Sequence, residues 1–297
     1  MPELEVRRAR DEDKEAVLAF CQQTWEWGDY IADVWDEWLY NPQGALLVAT
    51  LGGQDGQPVG VANMRMLTKD EAWLEGMRVD PAYRRRGISS ALFDALIVEA
   101  KRFGAATARL MAESHNTASL SVLSHKSLRQ VSALALYQAG LPETSRKRPA
   151  SLDAPTLATA ADINEIIDYL NVSNIFPAVG GLYSEGFTAL SITSELIESK
   201  VQAQQVYVLR RWERLDGLAM VEQRERWGEK HLFIGYIDGT TESISLIAYA
   251  LRAMLPQFGL ERVRASIPDL MMVRDAFTGA EYEWDGHIFY TFERILN

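Results

Sequence analysis

Apolar positions along the chain recur at two spacings, and the switches between them mark out its elements. Leu4 to Arg8 reads as a short strand, and Asp11 opens a helix that breaks before the Trp-rich piece Thr24-Trp-Glu-Trp-Gly-Asp-Tyr-Ile31. A second helix holds Trp35 and Trp38. Ala45 to Leu51 is an apolar strand, Gly52 to Gln57 a turn, and Pro58 to Leu67 the returning strand, which predicts a hairpin. Ala72 to Val79 is another strand. Ile88, Ala91, Leu92, Ala95, Leu96, Ala100 and Phe103 then follow helical spacing, Gly104 is placed to end that helix, and Thr107 to Ala112 is one more strand.

The second half repeats this order. Asp162 starts a helix as Asp11 does. Val206 to Leu209 is a strand, Asp216-Gly217 the expected turn, and Leu218 to Val221 its partner. His231 to Ile237 precedes a helix whose apolar face is Ile244, Ile247, Ala248, Leu251, Leu255 and Phe258, ended by Gly259, and Arg262 to Ile267 is the next strand. Between the halves, Leu141 to Pro155 is polar, holds three prolines and lacks periodicity, as an inter-domain linker does. The expected organisation is therefore a domain over residues 1–140, a linker over 141–155 and a second copy of one α/β unit over 156–297.

Composition narrows the class. The 297 residues carry a formal net charge of −11, which argues against nucleic acid or an anionic membrane surface as a partner. A single cysteine, Cys21, excludes an intramolecular disulfide and suits a cytoplasmic location. Set in Val17-Leu-Ala-Phe-Cys21, it reads as a small packed hydrophobe. No apolar run reaches membrane-spanning length, and the N-terminus lacks the pattern of a signal peptide. The four histidines show no spacing that suggests a metal site.

The chemistry concentrates in Val79-Asp-Pro-Ala-Tyr-Arg-Arg-Arg-Gly-Ile-Ser-Ser90, where a strand hands over to a helix. Gly87 can take positive φ and let a ligand approach the backbone. The N–H groups of Gly87, Ile88, Ser89 and Ser90 then form a helix N-terminus that favours an anion, and Arg84, Arg85 and Arg86 add charge-assisted bonds suited to phosphate. On chemistry alone, the segment reads equally as an exposed basic turn with an ordinary cap. It lacks the glycine and lysine spacing of nucleoside-triphosphate and dinucleotide loops.

The segment resembles the pyrophosphate-binding motif of the GNAT family of N-acetyltransferases, Arg/Gln-x-x-Gly-x-Gly/Ala. Arg84 stands at the first position, Gly87 at the central one, and Ser89 departs from Gly/Ala at the last. The resemblance covers about residues 4 to 138. It implies an α/β fold of two tandem GNAT-like domains, each a mixed, mostly antiparallel sheet flanked by helices. It further implies acetyl-CoA as co-substrate without a metal, a small-molecule amine as acceptor, and a monomer or homodimer. Asp29-Tyr-Ile31, Trp35-Asp-Glu-Trp-Leu39 and Trp73 to Asp80 look like the branch that includes histidine N-acetyltransferase, which would make a free amino acid the acceptor.

By the same resemblance, Met77, Arg78 and Val79 offer backbone contacts to the cofactor and its acetyl carbonyl, and Asn116 contacts the pantetheine arm. Strand alternation places Trp73, Glu75, Met77 and Val79 on one face, and Glu75, desolvated there, is the candidate general base. Its bland alternative is an exposed carboxylate or a partner for Arg78. The tyrosine that commonly protonates the leaving thiolate is replaced by Leu123, with Ser124 and His125 adjacent in sequence. Trp25, Asp29 and Tyr30 are candidate acceptor-binding residues, with Glu26 and Asp29 suited to a cationic amine, although Trp at helical spacing is usually core. In the second copy, Asp238-Gly-Thr-Thr-Glu-Ser243 brings acids and no arginine to the loop, so that copy is expected to keep the fold without binding CoA.

Overall fold

The computed structural model describes residues 3–22, 24, 28–142, 154–226 and 228–296. The chain forms a mixed α/β fold of mostly antiparallel sheet flanked by helices, as expected, and divides into two compact units. One comprises Met1–Met111, Asn116–Arg129 and Phe292–Asn297; the other comprises Ala112–His115 and Gln130–Thr291. Of the stretch expected as a linker, residues 143–153 lie outside the described residues.

In the first unit, β1 (Leu4–Arg8) leads through a 3₁₀ turn to α1 (Lys14–Cys21) and α2 (Ile31–Leu39). Then come β2 (Gly44–Leu51), β3 (Gln57–Met66), β4 (Glu71–Val79), α3 (Ile88–Arg102), β5 (Thr107–Glu113) and α4 (Thr117–Leu123). β1 to β4 pair in sequence order and antiparallel, whereas β4 and β5 run parallel. The helical spacing read from sequence buries what it should. Ile31, Trp35 and Trp38 of α2 pack with Val17, Cys21, Leu46, Val48 and Val61, and α3 buries Ile88, Leu92, Phe93, Leu96, Ile97 and Ala100. Each large apolar side chain contributes about 1.5–3 kcal/mol by leaving water. Trp35 and Trp38 are therefore core, as tryptophan at helical spacing usually is.

The end of the chain completes this unit. Leu296 N–H donates to the Ala106 carbonyl at 2.7 Å, and Glu293 meets Arg109 at 2.8 Å. Arg109 also holds Glu71 at 2.6 Å, so a buried guanidinium lies between two buried carboxylates.

In the second unit, β6 (Arg129–Gly140) and β7 (Thr156–Leu157) precede α5 (Ile163–Val172), α6 (Ile175–Ala178) and the small hairpin of β8 (Leu182–Ser184) and β9 (Ala189–Ser191). Next follow α7 (Ser194–Gln202), β10 (Val206–Arg211), β11 (Arg214–Arg226), β12 (Glu229–Gly239), α8 (Thr241–Met254), β13 (Arg262–Pro268), α9 (Met271–Gly279) and β14 (Glu283–Ile295). Strand order is β6-β13-β12-β11-β10-β7, with β12 and β13 parallel. The expected turn at Asp216-Gly217 is corrected here. The chain turns at Trp212-Glu213, both at positive φ (53° and 62°), and Asp216 and Gly217 sit inside β11. A two-residue hairpin turn of this hand needs positive φ at both positions. Gly217 is required for another reason: a Cβ there would stand 3.1 Å from Ile247 Cδ1 and 3.0 Å from the Asp238 carbonyl.

Candidate active site

The site is built where β4 parts from β5. Their parallel ladder covers Glu71↔Thr107, Ala72↔Ala108 and Trp73↔Arg109 and goes no further, while β4 runs on to Val79. On its other edge, β4 pairs with β3 as Asn63↔Glu75 and Val61↔Arg78, so β4 has one residue too many across that step. Gly76, at φ +67°, absorbs the bulge. The bulge is forced by packing as well, because a Cβ on Gly76 would lie 2.5 Å from the Trp38 ring.

This bulge corrects the expected alternation. Trp73, Glu75 and Arg78 stand opposite Arg65, Asn63 and Val61, and so share one face; Met77 and Val79, the latter opposite Gly60, leave it. Glu75 is held there. Arg65 Nε donates to its Oε1 at 2.8 Å and Asn63 Nδ2 to the same oxygen at 3.1 Å. Burial pushes the Glu75 carboxyl above its ordinary value, more than the Arg65 charge and these hydrogen bonds pull it down. Asn63 is itself buried, and its Oδ1 has no partner among the described residues.

Asp29 and Arg78 form a close pair: Nε to Oδ2 is 2.7 Å and Nη2 to Oδ1 is 3.3 Å, with the Asp29 side chain 3% exposed. Arg78 also donates to the Met77 carbonyl at 3.0 Å and lies over the Tyr30 ring at 5.4 Å. Asp29 is thus neutralised by Arg78, and Tyr30, edge-on to Trp38 at 6.0 Å, is a wall beside them. Burial raises the Tyr30 hydroxyl above its ordinary value, so it stays protonated at neutral pH. Trp25, Glu26 and Trp27 lie outside the described residues.

Past Val79, Asp80 caps a 3₁₀ turn by accepting from Ala82 N–H at 2.9 Å. Arg84, Arg85 and Arg86 are exposed, and Arg86 stacks over Tyr83 at 5.1 Å. Arg85 has φ +61°, and Gly87, at φ 79°, is the N-cap residue of α3 with no side chain capping that terminus. A Cβ on Gly87 would meet nothing within 4 Å. The loop therefore presents an open, basic helix N-terminus, with Ile88 buried beneath it and Ser89 and Ser90 half-buried. The Ser90 carbonyl accepts from Lys126 Nζ at 3.2 Å, and Lys126 is anchored on Asp94 at 2.7 Å.

Asn116 is exposed and accepts from Ser119 N–H at 3.1 Å, so it caps α4. Leu123 is buried, while Ser124 and His125 are exposed. Sequence reasoning missed Asn63 and Arg65. The signal for them is the pairing register of β3 and β4, which a glycine within a strand hints at and only the bulge fixes. Among the described residues, no group of three or more His, Cys, Asp or Glu is placed to hold a metal, and no helix is long and apolar enough to cross a membrane.

Residues 10–125 match the family model described as the acetyltransferase (GNAT) family. No curated protein sequence matches the chain. Among solved structures, a GCN5-related N-acetyltransferase from Sphaerobacter thermophilus is similar at TM-score 0.62 and 13% identity, over 99% of this chain and 96% of that one. One from Anabaena variabilis is similar at TM-score 0.54 and 10% identity, over 99% and 73%. One from Kribbella flavida is similar at 0.51 and 16%, over 99% and 71%. Residues 10–125 are therefore similar to the GNAT acetyltransferase family, and the whole chain shares the fold of these solved structures.

Proposed function

We propose that the chain is an acetyl-CoA-dependent N-acetyltransferase built from two tandem GNAT-like units, with its working site in the first unit. The observation that carries this reading is the end of the β4–β5 ladder at Trp73 and Arg109, directly before the open basic loop at Gly87. The residues present fit the cofactor. The backbone of β4 beyond Trp73 is not laddered to β5, and the uncapped N-terminus of α3 with Arg84, Arg85 and Arg86 suits a pyrophosphate. When bound, acetyl-CoA would supply a thioester-activated acetyl group.

The protein's own part is to bind, orient and move a proton. Those backbone N–H groups of Met77, Arg78 and Val79 that point away from β3 provide fixed donors for a developing oxyanion. Glu75 takes a proton from the acceptor amine, directly or through water. Its carboxyl is raised by burial toward the range useful to a general base, while Arg65 keeps it ionisable. Because Asp29 is paired with Arg78, recognition of the amine falls to Glu75 and the unpartnered Asn63 Oδ1, with Tyr30 as wall. The acceptor is a small amine such as a free amino acid.

The test is release of free CoA thiol from acetyl-CoA with a panel of amines, histidine and other free amino acids included. Turnover with at least one amine is expected, and loss of acetyl-CoA binding in Arg84→Ala/Arg86→Ala. Unchanged binding in that double variant would sink the loop assignment. A second reading, a non-catalytic acyl-CoA sensor, is favoured by the buried Leu123 in place of an acid. Tight binding without thiol release from any amine would select it.

A further inference from the structure

The second unit has a cavity of its own. β6, β13, β12 and β11 lie side by side, and their register sets Gln138 against Arg264, Arg264 against Phe233, and His231 against Arg224. The intervening positions Leu232, Ile234 and Val263 belong to the hydrophobic core with α8 and α9, so these polar and aromatic residues face the other way. The β8–β9 loop, Glu185 to Phe187, closes over them and encloses about 310 Å³, with Asp285 of β14 contributing to the lining.

The lining is chemically divided. Arg224 is already committed, to Glu222 and to the face of Phe233 at 4.9 Å, and the loop lies directly on it: a Cβ on Gly186 would be 3.0 Å from Arg224 Nη1. Arg264 is only half committed. Its Nη2 donates to Glu229 Oε2 at 2.9 Å, but its Nε is buried and has no partner among the described residues. The Arg264 side chain lines the cavity and is 26% exposed, so its guanidinium can still meet an acceptor on a ligand. His231 is buried, and burial with Arg264 and Arg224 close by holds it below its ordinary value, so it adds no charge at neutral pH. Glu185, Glu225 and Asp285 supply negative charge. Phe233 is buried apolar surface, and Phe187 is an exposed ring at the rim.

A ligand bearing only negative charge would meet three carboxylates, and one bearing only positive charge would meet two guanidiniums. A small zwitterion satisfies both. The volume sits at the bottom of the range for ligand cavities, about 300–1,000 Å³, which admits a single amino acid and excludes a nucleotide or CoA. The aromatic surface selects a flat side chain. We propose that the second unit binds a free aromatic amino acid, with its carboxylate on the Arg264 guanidinium, its ammonium on Glu185 and Asp285, and its ring against Phe233 and Phe187. This site lies wholly within the second unit and stands whether or not the first unit transfers acetyl groups.

The experiment is calorimetric titration of the whole protein with L-phenylalanine, beside glycine, 3-phenylpropionate and 2-phenylethylamine. L-phenylalanine is expected to bind with Kd below about 1 mM, and each control more weakly, since each lacks one of the three contacts. Arg264→Gln is expected to weaken L-phenylalanine about tenfold or more, and Glu185→Gln/Asp285→Asn likewise. Phe187→Ala, at an exposed position, gives a third reading should a thermal melt show either polar variant misfolded. Absence of heat with L-phenylalanine overturns the proposal. So does binding no tighter than glycine, or binding that survives the folded variants, which would place the amino acid in the first unit.

Discussion

Gly76→Ala tests the bulge on which the first unit's site depends. The added methyl would approach Trp38 ring carbons at 2.5 Å, and the residue would have to keep φ +67°. Overpacking of a rigid core costs about 1–3 kcal/mol and the left-handed backbone about 1–2 kcal/mol more, so a total near 3 kcal/mol is expected. At roughly 4 °C per kcal/mol for a unit of this size, the melting temperature should fall by about 12 °C in scanning calorimetry. Trp38→Phe shortens the ring away from the contact. Alone it opens a cavity and costs about 2 kcal/mol; combined with Gly76→Ala it should cost less than the sum by about 1–2 kcal/mol. Activity should follow the bulge: if the strand relaxes to regular alternation, Glu75 and Arg78 no longer share a face, and turnover falls even at temperatures where the variant is folded. A Gly76→Ala protein as stable as its parent, or two substitutions whose costs simply add, would refute the packing argument.

Arg65→Met should raise the Glu75 carboxyl further, because it removes a charge that now pulls it down. A base works ionised, so the acid limb of the pH–rate profile should move to higher pH, and an unmoved limb would remove Glu75 from the mechanism. Arg109→Met leaves Glu71 and Glu293 buried without their shared partner and should cost about 3–5 kcal/mol, read by urea denaturation. Cys21 is buried and its thiol is pushed up to about 12, chiefly by burial, so it should resist an aromatic disulfide reagent in the native protein and react once unfolded.

The sequence was most legible where one residue's neighbours along the chain decide its fate. The spacing of Ile31, Trp35 and Trp38, and of Ile88, Leu92 and Leu96, told which face each helix buries. The exposed basic loop before α3 is equally local, since Gly87 and the three arginines adjoin one another. What was not legible depends on distant pairing. Strand alternation put Met77 beside Glu75, and only the extra residue opposite Asn63 and Val61 shows Arg78 there instead. Asp29 read as a free acid for a cationic amine; its partner Arg78 is 49 residues away. The hairpin turn was assigned to Asp216-Gly217 because glycine tolerates turns, whereas Trp212 and Glu213 adopt the strained φ and Gly217 is needed for helix packing. Arg109 meets a carboxylate 184 residues further on, which no local pattern announces.

That last contact bears on how the protein is made. Residues 292–297 belong to the first unit, so β5 and the Arg109 guanidinium await a strand synthesised only after the second unit. At ordinary rates of synthesis, the interval between Arg129 and Phe292 is on the order of ten seconds, long compared with helix or hairpin formation. Over that time the nascent first unit carries an unfinished sheet edge, with Glu71 as the one acid available to Arg109 until Glu293 is made. The folding of the first unit is therefore timed by synthesis of the second, and a chain cut short anywhere within the second unit leaves the first incomplete as well.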